Sequence, residues 1–172
     1  MTQLRHFEMG NTYALTQDVI NALGKNCPAL EVLRIPGKEA VIGKIRLKGC
    51  TKFSSLRVLD LSWYRHITDV DVNALSKPGQ LVEVFLHDCE RISGPTILRL
   101  VLNNEKLRHL TLTGVTSMDE DLIKYLSDAT LKQKDKRYPL TIRIAVNVPE
   151  SVIQSFKHCR FEVDALRSWK FD

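Results

Sequence analysis

The sequence predicts an α/β solenoid: a right-handed horseshoe segment of about five to six repeats, with a parallel sheet on the concave side and helices on the convex side. Two observations carry that prediction. The pattern L-x-x-L-x-L recurs five times, counting Val, Ile, Phe and Met as equivalents, with first positions at Leu4, Leu30, Leu56, Leu81 and Leu107, so every step is 25 or 26 residues. In phase with it, four of the five units carry an apolar pair three residues apart: Ile20 and Leu23, Val72 and Leu75, Ile97 and Leu100, Ile123 and Leu126. The first pattern alternates as a strand with one buried face does, and the second is the buried stripe of a short helix. A strand, a turn and a returning helix cannot bury their own apolar side, so neighbouring units must stack.

The elements follow in order. In the first unit Leu4, Phe7 and Met9 form a looser strand, and Thr16 with Asp18 supplies helix-start chemistry ahead of Ile20. The second unit, "LEVLRIPGKEAVIGKIRLKGCTKF", keeps its strand at Leu33 and Ile35 but puts Arg46 and Gly49 where the helical pair belongs. Gly37, Gly43 and Gly49 disfavour a helix, so an irregular convex segment is expected. The third, "SSLRVLDLSWYRHITDVDVNAL", has strand leucines Leu59 and Leu61, a polar and aromatic break at Trp63 to His66, and a helix begun by Thr68 and Asp69. The fourth, "LVEVFLHDCERISGPTILRLV", opens its helix at Ser93; the fifth opens at Asp119 with Glu120 and is expected to end near Asp128. "LKQKDKRYP" (131–139) then reads as a solvated, aperiodic loop. The remainder, 138–172, forms an irregular last unit within one domain spanning 1–172. "LTIRIAV" alternates as a strand, "PESVIQSFKHC" opens as a helix at Pro149 and Glu150, and "RFEVDALRSWKFD" adds an edge strand. Phe161, Trp169 and Phe171 are expected to cover that end of the stack.

Composition narrows the function. At 44% hydrophobic residues the chain is of globular type, and no apolar run has the length of a membrane span. No leader pattern precedes the repeats, so the expectation is a soluble intracellular protein, cytoplasmic or nuclear, with no membrane partner. Cys27, Cys50, Cys89 and Cys159 are widely spaced without a C-x-x-C pair, which predicts buried free thiols rather than a disulfide framework or zinc site. The net charge of +5 favours acidic over basic partners but falls short of a nucleic-acid signature. The basic run Lys132, Lys134, Lys136 and Arg137 lacks aromatic interleaving and does not change that reading.

Catalytic constellations are absent from the pattern. "HDC" (87–89) puts Cys89 at an inward turn position and His87 with Asp88 at the concave edge, so thiol and imidazole point apart. Those three residues are also too few and too close in sequence to converge on one metal ion. "PGKEAVIGKI" has neither the spacing nor the Lys-Ser/Thr ending of a phosphate loop, and the carboxylates of "MDED" fit a helix start. The expectation is a protein without catalytic residues, cofactor or metal.

What remains is the concave face. By register, one outward column holds His6, Val32, Val58, Glu83 and His109, and the next Glu8, Arg34, Asp60, Phe85 and Thr111, extended by Arg143. A third holds Gly10, Pro36, Ser62, His87 and Thr113, rimmed by Asn11, Gly37, Trp63, Asp88 and Gly114. Trp63 and Phe85 come from adjacent repeats and predict one apolar patch flanked by charge, the usual make-up of a protein interface. The protein-binding candidates are therefore Arg34, Asp60, Trp63, Phe85, His87, Asp88 and His109.

The units also resemble a known family. L-x-x-L-x-L, a Cys three residues later, then I-T-D and a short helix at a period near 26, is similar to the cysteine-containing leucine-rich repeat. "LVEVFLHDCERISGPTILRLV" has Cys89 at the Cys position; Thr12, Lys38, Tyr64 and Val115 stand there in the other units. The resemblance covers about 4–130 strongly and the rest weakly. Such repeats occur in F-box proteins, in a mitotic-exit antagonist family and in related scaffolds. The resemblance thus implies substrate or partner recognition in a cullin-RING ubiquitin ligase pathway, with an adaptor or cullin reached through a segment ahead of this chain. The alternative it leaves open is a scaffold, assembly or regulatory factor without a ubiquitin link. No F-box stands in the sequence, and no polar segment shields the first repeat. A fragment of a longer protein is one expectation, and a natural F-box-less protein capped by a partner the other.

Overall fold

In the computed structural model the described residues are 3–10, 15–37, 53–76, 79–130, 139–145, 150–154 and 159–163. Seven short strands form one parallel sheet in strict sequence order: β1 (His6–Glu8), β2 (Val32–Arg34), β3 (Val58–Asp60), β4 (Glu83–Phe85), β5 (His109–Thr111), β6 (Thr141–Ile144) and β7 (Arg160–Val163). Five helices return behind it: α1 (Gln17–Asn26), α2 (Asp69–Ser76), α3 (Gly94–Asn103), α4 (Glu120–Thr130) and α5 (Glu150–Gln154). The chain is thus an α/β solenoid of the leucine-rich-repeat kind. Its last unit contributes two strands, so the sheet is seven strands wide. Helix α4 runs on to Thr130, beyond the expected end near Asp128.

The register pairs equivalent positions of successive units. Leu33 lies beside Leu59, Leu59 beside Val84, Val84 beside Leu110 and Leu110 beside Ile142. Because side chains alternate across a strand, that column faces the helices and is 0–1% exposed throughout. The helical pairs Ile20 with Leu23, Ile97 with Leu100 and Ile123 with Leu126 join it in one core. In the first unit Leu4, Phe7 and Met9, on and beside the edge strand β1, are half-buried.

The turn after each strand explains the cysteine position. Tyr64, Cys89 and Val115 are all buried there, each N–H donating to the carbonyl of the third residue before it (Leu61, Leu86 and Leu112). The Cys89 thiol donates to the Leu61 carbonyl of the preceding repeat at 3.2 Å. The site requires a filler of suitable volume, and a phenol ring or an isopropyl group meets that as a thiol does. Cys27, Cys89 and Cys159 are buried and free, as expected.

The helix starts differ from expectation. Thr16 and Ser93 occupy the N-cap positions of α1 and α3, but neither side chain caps its own helix. Ser93 instead turns to the preceding repeat, where its N–H and Oγ donate to the two carboxylate oxygens of Asp69 at 2.8 and 2.7 Å. At the start of α2 buried Asp71 reaches back instead, accepting from both the N–H and the Oγ1 of Thr68. Asp119 does act as an N-cap, accepting from the Leu122 N–H at 2.8 Å.

Several expectations fall outside the described residues: the irregular convex half of the second unit with Gly43 and Gly49, the basic run at 132–137, and Cys50, His158, Trp169 and Phe171. Phe161 is described, and it packs half-buried against the end of the core. No helix among the described residues is long and apolar enough to cross a membrane.

Candidate functional site: the outer face of the sheet around Trp63 and Phe85

The face of the sheet turned away from the helices carries the columns read from the sequence. His6, Val32, Val58, Glu83 and His109 lie in register, followed by Thr141 and Arg160. Beside them run Glu8, Arg34, Asp60, Phe85, Thr111, Arg143 and Glu162. In the third column Ser62 departs from expectation. It is buried at 8% exposure, and its N–H donates to the Asp60 Oδ1 at 3.0 Å. Gly37 of the rim is buried as well, with the Trp63 backbone and the Tyr64 ring against it.

Past the strands, a second ladder carries the rim. Gly37 N–H donates to Ser62, Trp63 N–H to His87 and Asp88 N–H to Thr113, at 2.7, 2.7 and 2.8 Å. To make these bonds the chain turns left-handed at Trp63 (φ 71°), Asp88 (φ 54°) and Gly114 (φ 79°). Gly and Asp tolerate that region, whereas a bulky side chain is an outlier there. At Gly114 a Cβ would also run into the Asp88 carboxylate, so a larger residue there would have to displace it.

Each aromatic ring has its own polar companion. Trp63 meets His87 edge-on, with ring centroids 4.4 Å apart and planes at 70°. His87 Nε2 lies 3.3 Å from Asp88 Oδ2. Phe85 carries the Arg34 guanidinium 5.7 Å from its centroid, and Arg34 Nη2 reaches Glu83 at 3.7 Å. All five side-chain bearers, Arg34, Trp63, Phe85, His87 and Asp88, are partly exposed, as is Asp60. The structure therefore gathers Arg34, Asp60, Trp63, Phe85, His87 and Asp88 on neighbouring strands β2 to β4 and the turns after them. His109 is exposed on β5 in the first column, in register with Glu83 and one strand beyond Phe85. Glu83 enters the patch through its contact with Arg34; its column position alone did not single it out.

The interior chemistry is inert. Burial pushes the Cys89 thiol up to about 12, against a hydrogen bond from the Tyr64 backbone, and the nearby carboxylates of Asp60 and Asp88 push the same way. Burial alone raises the Tyr64 phenol to about 12. Burial also raises Cys159, to about 11, despite hydrogen bonds with Ser127 and Thr130. Among the described residues no three His, Cys, Asp or Glu side chains are placed to hold a metal ion.

Fold and face together define a leucine-rich-repeat-like solenoid presenting an aromatic and charged patch on its sheet. No protein-family model matches the chain, and no curated protein matches it in sequence. A solved structure does resemble it: the crystal structure of the Rad7 and Elc1 complex in yeast, at 20% identity and a TM-score of 0.61. The likeness covers 83% of this chain and 36% of that one, so the chain spans about a third of its neighbour's length. At that identity the shared property is the fold.

Proposed function

We propose that this chain is a non-catalytic protein-binding module whose partner docks on the outer face of the sheet around Trp63 and Phe85. The observation that carries the reading is Trp63 itself. A left-handed backbone under a bulky side chain costs about 1–3 kcal/mol, and its ring stays partly exposed instead of repaying that cost in the core. Exposed aromatics flanked by charge are the anchors on which protein interfaces concentrate their binding energy. The finer reading is recognition of a substrate or regulatory partner in an F-box-type, cullin-RING ubiquitin ligase pathway. It is supported by the repeat resemblance and by a structural neighbour that was itself crystallised with a protein partner, Elc1.

The test is affinity purification of the wild-type chain beside a Trp63→Gly/Phe85→Ala variant, with mass spectrometry and a thermal melt of both. The expected result is at least one specific partner lost from the variant at an unchanged melting profile. Recovery of a cullin and its adaptor, with any upstream segment of the protein restored, supports the ligase pathway. Recovery of specific partners without either assigns the chain to a scaffold role instead. A melt that collapses in the variant would place both rings in the core and remove the interface.

A further inference from the structure

Resting on the protein-binding reading, the partner's chemistry can be named from the charges that the patch leaves unmatched. Arg34 is compensated, since Glu83 lies 3.7 Å from its Nη2 and Phe85 lies beneath it. Asp60 and Asp88 are not. Among the described residues Asp60 accepts the Ser62 N–H, Asp88 meets the His87 ring and packs against Gly114, and neither forms an ion pair with a Lys or Arg. The two carboxylates belong to adjacent repeats: Asp60 lies in register with Phe85, and Asp88 follows three residues later, in the turn where the Trp63 N–H bonds to His87. Among the described residues the uncompensated charge beside Trp63 and Phe85 is therefore negative.

The overall charge of +5 does not describe this face. Among the described residues acidic side chains outnumber basic ones, and the basic excess lies in stretches such as 38–52 and 131–138. We infer that the patch receives an arginine- or lysine-bearing segment of a protein partner, its cation set between Asp60 and Asp88 and its aliphatic stem laid on Trp63. A guanidinium takes a carboxylate in a two-pronged bond and stacks on an indole, so this surface fits it twice over. Charge complementarity of this kind selects the partner and raises the rate of encounter.

Selection of a phage-displayed random peptide library on the full chain tests this, followed by binding of the enriched synthetic peptides by fluorescence polarisation. Two variants accompany the wild type. Asp60→Asn/Asp88→Asn removes the charge but keeps the Ser62 bond and a residue tolerant of left-handed backbone at position 88; Trp63→Gly/Phe85→Ala removes the rings. The expected peptides carry Arg or Lys, weaken with added salt, and lose about tenfold or more in affinity for the Asn pair. Enrichment of peptides without Arg or Lys, equal affinity for the Asn pair, or no enrichment overturns the inference. If such neutral or acidic peptides still need Trp63 and Phe85, the binding module stands and only the partner's chemistry falls. If they ignore both variants, the patch itself falls. Sedimentation of the chain alone gives a further check: a self-associated species dissolved by the Asn pair would put the chain's own basic segments on the patch and overturn the choice of a foreign partner.

Discussion

At the residue scale, the backbone of Trp63 occupies the same turn position as Asp88 and Gly114, with φ of 71° against 54° and 79°. A β-carbon in that region costs about 1–2 kcal/mol, a penalty glycine escapes. Trp63→Gly is therefore expected to be more stable than Trp63→Ala by about 1 kcal/mol in urea unfolding, the reverse of the usual order. Equal stabilities would mean that the turn relaxes once the indole leaves. Cys89 offers a second residue-scale test. Its thiol is 0% exposed, titrates near 12 because of burial, and is engaged by the Leu61 carbonyl. A thiol held protonated is a poor nucleophile, so an aromatic disulfide reagent at pH 8 should modify Cys89 only at the rate of opening. Cys89→Val, which copies Val115 at the equivalent turn, should cost no more than about 1.5 kcal/mol, chiefly the lost sulfur hydrogen bond. Rapid labelling of the native protein would contradict the burial.

At the element scale, helices are tied to their neighbours by polar bonds that pass between repeats. The most complete is Asp69, whose carboxylate takes the Ser93 N–H and Oγ. Burial pushes the Asp69 carboxyl up, but the bonds from Ser93 and Thr96 and the charge of Arg99 outweigh it, and the group titrates below the ordinary carboxylate range. A carboxyl whose native pKa is depressed stabilises the fold above its unfolded value and loses that contribution as pH falls through the native one. The stability gap between wild type and Asp69→Asn should thus be constant from pH 7 to about pH 5 and shrink below about pH 4, with a plateau held by solvent screening to at most about 1 kcal/mol. A gap that widens in acid would reverse the sign assigned to Asp69. The sequence reveals these ties poorly. Leucine spacing is set by one strand and one helix, so Leu59, Leu61 and Ile97 were readable, and with them the fold. The Asp69–Ser93 tie joins side chains 24 residues apart whose meeting depends on the stacking itself. Asn104 behaves likewise: fully buried, it accepts from the Leu81 N–H and donates to the Leu100 carbonyl, and no spacing rule singled it out. The candidate site divides the same way. Register placed Arg34, Asp60 and Phe85 on one face, but the left-handed turn that projects Trp63 was obscured because the residue there is not glycine.

At the scale of the whole molecule, a solenoid's stability is a sum of repeat and nearest-neighbour terms, so the same substitution should cost different amounts at different places in the stack. Leu86 and Met9 hold the same repeat position, the last apolar residue of the strand pattern. Leu86 is 0% exposed between two repeats, whereas Met9 is only half-buried at the open first repeat. Truncating Leu86 to alanine removes contacts with both neighbours and leaves a cavity, which costs about 3–5 kcal/mol. Truncating Met9 removes contacts with one neighbour and leaves an opening that water can fill, so about 1 kcal/mol is expected. Equilibrium urea unfolding followed by circular dichroism reads both, and the pattern of the transitions is informative as well as the midpoints. Loss of an end contact should leave the main transition nearly in place. Loss of the central one should lower the midpoint strongly and, where the halves on either side of β4 no longer unfold together, also lower the slope. Equal costs at the two positions would mean that the first repeat is as fully packed as the fourth, in conflict with the half-burial of Leu4, Phe7 and Met9.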